Sequence, residues 1–93
     1  MNYLENVNHI NEILSNANEH DTVRLINNAK IKGGGSPGEV LAIICSLLKV
    51  LEKKFPKIFS LIKEDAIVLF NISKQIGMKI IANYDLLDEL DWE

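Results

Sequence analysis

Two histidines, His9 and His20, and one thiol, Cys45, are the residues of this 93-residue chain best suited to nucleophilic, acid–base or metal chemistry. Their spacing argues against all three. A structural zinc site wants a full tetrahedral set rich in thiolates and imidazoles. His9 shares one side of its segment with Glu5 and Glu12 alone, and those are exposed, weak companions. Cys45 lies far along the chain among Ile43, Ile44, Leu47 and Leu48. That apolar setting predicts a buried thiol with a raised pKa, the opposite of an activated nucleophile. No paired carboxylates and no serine–histidine arrangement stand out. The expectation is no enzyme, with no catalytic residue, no metal ligand and no cofactor.

The glycine run Gly33-Gly34-Gly35, followed by Ser36-Pro37-Gly38-Glu39, has the composition of an anion cradle. Backbone amides of such a loop, feeding a helix N-terminus, can hold phosphate. The spacing of a phosphate-binding loop is absent, however. No lysine follows directly, no strand precedes, and Glu39 would repel an anion. A connector leading into a well-capped helix is the simpler reading.

Five lysines, Lys49, Lys53, Lys54, Lys57 and Lys63, gather around Pro56. They carry the alternative function, a small nucleic-acid-binding regulator making phosphate contacts. A single arginine, Arg24, is a poor start for reading guanine in the major groove. The stretch Ser73-Lys74-Gln75-Ile76-Gly77-Met78 faintly suggests a helix-turn-helix. The segment after Gly77 turns acidic where a recognition helix should be basic.

The end of the chain is the most distinctive segment. Residues 1–81 hold eight acids and ten bases, whereas residues 82–93 hold five acids and no base. Tyr84, Leu86, Leu87, Asp88, Leu90, Asp91 and Trp92 alternate large apolar groups with carboxylates. Such a segment suits a partner's groove, where aromatic anchors give affinity and charge gives steering. Its plainer fate is a terminal helix docked on the chain's own body, carboxylates toward the lysine cluster.

Helices must position these residues. Leu4, Val7, Ile10, Leu14 and Ala17 make an amphipathic stripe over 3–18. Asp21 reads as the N-cap of a short helix over 22–30 that buries Val23, Ile26 and Ala29, with Leu25 at its edge. Ser36, Pro37 and Glu39 form the clearest start signal, a capping box with proline at the first helical position. That helix should run over 37–54, apolar on more than one face and therefore central. Pro56 should end it at Phe55. A short amphipathic turn at 58–62 and a helix over 64–76 follow. The β-prone run 66–72 leaves a buried strand as the competing assignment. Gly77 reads as a C-terminal stop, and Asn83 or Asp85 as the cap of a last short helix.

These elements specify an all-α fold, one domain over 1–93, a compact bundle of four to five short helices with helix 37–54 central. The expected core is Leu4, Val7, Ile10, Leu14, Ile26, Leu41, Ile44, Leu47, Leu48, Leu51, Phe59, Ile62, Leu69, Phe70 and Ile76. At 47% hydrophobic residues and a net charge of -3, the chain is neither disordered nor strongly basic. Its size excludes barrel and doubly wound enzymes. No apolar stretch approaches a membrane span, and Met1-Asn2-Tyr3-Leu4-Glu5-Asn6 is unlike a secretory leader. With no possible internal disulfide, the expected location is the cytoplasm. Asparagine, isoleucine and lysine supply 10, 13 and 9 residues, a bias of AT-rich codons that points to a bacterial or phage genome. By size and by elimination, the expected function is stoichiometric protein binding, as an inhibitor, immunity or antitoxin-like partner. The partner is another protein, with self-association open.

Overall fold

Local signals set most helix boundaries in the computed structural model, which describes residues 3–93. The helices are α1 (Tyr3–Asn16), α2 (His20–Lys32), α3 (Pro37–Lys54), α4 (Pro56–Gln75) and the single turn α5 (Leu86–Glu89). No strand occurs among the described residues, and 66–72 lies wholly within α4.

Ser36 caps α3 as expected: its hydroxyl oxygen accepts from the Glu39 amide at 3.4 Å, and Pro37 follows at the first turn. Phe55 leaves the helical region (φ -132°, ψ 64°) ahead of Pro56, which begins α4 at once. The expected break within α4 does not occur. Proline fits the first turn of a helix, and nothing after it interrupts the ladder. Phe59, Ile62, Ala66, Leu69 and Ser73 then form one continuous buried stripe along a 20-residue helix.

The start of α2 also differs from expectation. Asp21 is not the N-cap; the helix begins at His20, after Glu19. The end of α1 decides this. Asn18 takes a left-handed conformation (φ 62°). The Asn18 amide donates to Ser15 O at 3.1 Å and the Glu19 amide to Leu14 O at 2.8 Å. This doubled closure turns the chain so tightly that α2 starts two residues early. Asp21 instead reaches Arg24 at 3.3 Å within the first turn. The same closure ends α4, where Gly77 (φ 79°) donates to Lys74 O at 3.1 Å and Met78 to Ser73 O at 2.9 Å.

The four long helices form a ring: α2 packs on α1 and α3, and α4 packs on α3 and α1. Short connections force antiparallel neighbours. Tyr3 at the start of α1 therefore shares one end of the bundle with Pro37 and Gln75, and its hydroxyl donates to Pro37 O at 3.0 Å. Helix α3 is the most deeply buried, with Val40, Leu41, Ile44, Cys45, Leu47, Leu48, Val50 and Leu51 all inside. Most of the expected core is buried. Three members are not. Leu4 and Ile76, in the terminal turn of α1 and at the cap of α4, face outward, 44% and 58% exposed. Phe70 is half-buried beside the α4 stripe, stacked on Phe59 at 6.4 Å between centroids, with the Lys49 ammonium 4.2 Å above its ring.

The remaining side of α3 is covered by the chain's own end. Residues 78–83 rise along α3 from Gly38, near Met78, to Ser46. The Ser46 hydroxyl donates to Ile81 O and accepts from the Asn83 amide at 3.2 Å. Tyr84 then lies under the Lys54 ammonium, 5.4 Å from its ring centroid. Residues 86–92 fold back over α2. Leu86 and Leu90 enter the common core, 3% and 0% exposed. No helix among the described residues is long and apolar enough to cross a membrane.

Candidate functional site

The residues expected to contact a partner divide into two groups. Leu86 and Leu90 point inward and are part of the fold. Tyr84, Asp88, Asp91 and Trp92 are exposed, and Leu87 is half-buried. The tail thus docks on its own body, but not on the expected face. Its carboxylates meet α2 rather than the lysines near Pro56: Asp91 accepts from the Arg24 guanidinium, and Glu89 lies 3.7 Å from the Lys32 ammonium. The hydrogen bond to Asp91 pushes Arg24 above its ordinary pKa range. Asn28, buried in α2, spends both amide hydrogens on this segment, donating to Leu90 O at 2.7 Å and to Trp92 O. Asparagine is a poor residue for a helix interior on propensity alone, so its place here is explained by those two carbonyls.

This docking shapes a cleft at the end of the bundle where α1 passes into α2 and α3 into α4. Its floor and walls are Leu25, Leu51, Phe55, Ile58 and Leu87, its polar border Glu19, Asp21 and Thr22, and its volume about 280 Å³. It continues into a smaller recess between Asp21, Arg24, Leu25, Leu87 and Asp91. Each part is placed by a local decision: the early start of α2 brings Glu19 and Asp21 forward, and the Pro56 corner swings Phe55 out, 43% exposed. A second cleft of about 280 Å³ lies at the opposite end, among Tyr3, Pro37, Gly38, Leu41, Ile72, Gln75 and Ile76. It has no charged wall. Of these two clefts, the acid-bordered one combines an apolar seat with a charge preference.

No protein-family model, curated protein or solved structure matches this chain.

The lysine cluster does not form one free cationic stripe. Lys49 lies 3.8 Å from Glu52 as well as over Phe70, and Lys54 lies over Tyr84. Lys53, Lys57 and Lys63 have no ion-pair partner among the described residues. In the glycine run, Gly33 stands close against Val40, whereas Gly34 and Gly35 face open space. Within the described residues, no group of three or more histidines, cysteines and carboxylates could hold a metal.

Two contacts escaped the sequence. His9 Nδ1 lies 2.6 Å from Asp65, which also accepts from Asn6 at 3.1 Å, joining α1 to α4. A histidine oriented by a carboxylate is half of an acid–base device, but neither residue lines the cleft. Their separation of 56 positions leaves no local signature. Ser46 likewise gives no signal, because its partners are backbone groups of the strap, the segment 78–92 that crosses α3 and α2.

Cys45 is fully buried, with its sulfur 3.6 Å from Leu69 O. Burial pushes the thiol up to about 11, against weaker opposing effects of Ser73 and Lys49. At about pH 8 the native thiol should react with a disulfide reagent at least ~100-fold more slowly than the denatured chain, because two pKa units are a hundredfold in thiolate. Comparing reaction rates with and without denaturant checks this; equal rates would refute burial. The unfolded thiol ionises near 9.0 and the folded one near 11. Its contribution to stability is therefore complete below the lower value and is lost as pH rises toward the upper one. A Cys45→Ala variant should lose less stability over that interval.

Proposed function

We propose that this protein acts by stoichiometric binding of another protein rather than by catalysis, and that the partner seats in the cleft between α2, the Pro56 corner and Leu87. The observation that carries this reading is the cleft itself: an apolar seat with Phe55 exposed at its edge, bordered by Glu19, Asp21 and Asp91. A half-exposed aromatic beside a desolvated recess is the usual form of an interface anchor. An inhibitor, immunity or antitoxin-like role in the cytoplasm of a bacterial or phage-infected cell suits a domain of this size. Of the terminal segment, half-buried Leu87 and exposed Asp91 line the cleft and its recess, and exposed Tyr84, Asp88 and Trp92 lie on the same segment. Contact with nucleic acid through Lys49, Lys53, Lys54, Lys57 and Lys63 has less support, since two of the five are engaged within the chain.

Affinity capture from the native host tests the proposal with two variants. Phe55→Asp places a charge in the cleft; Leu61→Asp places one on the exposed side of α4, 47% exposed. A single protein retained in equal amount by the natural chain and by Leu61→Asp, and lost with Phe55→Asp, supports the reading. A retained set that is indifferent to Phe55→Asp overturns it.

A further inference from the structure

The occupant of this cleft can be described more closely, on the reading above, from the uneven distribution of charge around it. One wall carries Glu19 and Asp21 at the start of α2, with Asp91 beside them on the strap. Only Arg24 stands against these acids, already shared between Asp21 and Asp91. Asp88, next to Leu87 on the outer side of α5, has no ion-pair partner among the described residues. Lys54 and Lys57 flank Phe55 and Ile58 in an adjacent hollow at the Pro56 corner and do not line the cleft. The charged border of the cleft itself is therefore mainly acidic.

We infer that the cleft takes a cationic amphipathic segment of a partner protein, one bulky apolar side chain entering between Leu25, Leu51 and Leu87 and a lysine or arginine lying against Glu19 and Asp21. An apolar anchor gains from leaving water, and flanking charge of the right sign selects among anchors and speeds encounter. The acids stand on the side of α2, and the lysines nearest the cleft, Lys54 and Lys57, lie outside it beyond Phe55 and Ile58, so the basic residues of the segment gain only toward α2. An anionic segment would meet its own charge on the wall formed by α2 and the strap.

Two synthetic amphipathic peptides test this. They share one leucine pattern, with lysine at every polar position in the first and glutamate in the second. Binding is followed through the methyl resonances of Leu25, Leu51, Ile58 and Leu87 in the full chain, at low and at raised salt. The lysine peptide should shift these methyls and bind about tenfold or more tightly than the glutamate peptide. The double substitution Glu19→Lys, Asp21→Lys should remove about tenfold of that affinity or more, and salt should weaken it. Leu61→Asp should leave it unchanged. A circular-dichroism spectrum confirms that each variant is folded. If the glutamate peptide shifts the same methyls equally or more strongly, the cationic preference is wrong while the cleft stands as a binding site. If neither peptide shifts them, the inference falls and the capture experiment alone decides the broader reading. Lysine-peptide binding that is indifferent to Glu19 and Asp21 also overturns it.

Discussion

Leu90→Ala is expected to remove about 3–4 kcal/mol of folding free energy, which for a domain of this size lowers the melting temperature by roughly 15–25 °C. Leu90 is fully buried in the common core, near the very end of the chain. Its neighbours belong to helices that pack on one another, so they cannot close around the space left. The loss combines the transfer of the removed atoms with the cavity that remains. Leu86→Ala, at 3% exposed, should cost somewhat less. Asn28→Ala should cost about 1–3 kcal/mol, because it takes the donor from Trp92 O and one of two donors from Leu90 O, which keeps only the Trp92 amide. The pair Leu90→Ala, Asn28→Ala should cost less than the sum, since either change alone loosens the same segment. Urea unfolding of the single and double variants measures all of this. A loss below about 1 kcal/mol for Leu90→Ala would show that the strap is not part of the folding unit.

The burial of Leu90 changes how binding can be tested. Removing residues 83–93 would open the groove over α2 and α3, so loss of partner binding in such a truncation could not be distinguished from unfolding. Substitutions at Phe55, Glu19 or Asp88 leave the core intact and keep the two effects apart. They also separate a surface role of the tail from its structural one, because Asp88 and Trp92 face water while Leu86 and Leu90 do not.

The parts of this fold that are written locally are the parts that sequence reasoning recovers. Ser36 and Pro37 announce α3, Pro56 separates α3 from α4, and Gly77 ends α4. Each acts through backbone chemistry within one turn of itself. The heptad-like stripes of α1 and α3 place Val7, Ile10, Leu14, Ile44, Leu48 and Leu51 in the core for the same reason. The division into a turn at 58–62 and a helix over 64–76 does not hold, because the helix that starts at Pro56 is continuous. Asp21 lies inside the first turn rather than at the cap, because a carboxylate is equally at home there, where it meets the positive helix end. The site was much less legible. The cleft depends on Leu87 meeting Leu25 and Leu51, and the strap depends on Asn28 meeting carbonyls 62 and 64 positions away. Charge asymmetry marked residues 82–93 as special, but it could not say that Arg24 and Lys32, rather than the lysines near Pro56, would receive the carboxylates. Those choices are made by packing between distant segments.

The three consecutive glycines, which look interchangeable in the sequence, are expected to respond to alanine in three different ways. Gly33 has ordinary helical angles (φ -71°, ψ -12°), so its backbone would accept any residue. A Cβ there, however, would stand 2.5 Å from Val40 Cγ2 and 2.8 Å from the Val40 backbone. Val40 sits in the first turn of α3, held by the Ser36 cap, and cannot withdraw without moving the helix. Gly33→Ala should therefore cost about 2–3 kcal/mol or more, the upper part of the range for forcing atoms into a packed site. Gly34 faces open space but has φ 61°. Gly34→Ala should cost about 1–2 kcal/mol of left-handed strain, and Gly34→Asn less, since asparagine tolerates that conformation as Asn18 does. Gly35 has neither a steric neighbour nor a left-handed angle. Gly35→Ala should be neutral or stabilising by up to about 1 kcal/mol, through the reduced freedom of the unfolded chain. Thermal unfolding of the three variants gives the order directly. Equal losses at all three positions would mean that the loop is an unstructured connector, and that the close passage of α2 beneath the start of α3 does not exist in solution. The predicted order would instead show that the turn between them is a fitted joint, with Gly33 present because no side chain can stand where Val40 already is.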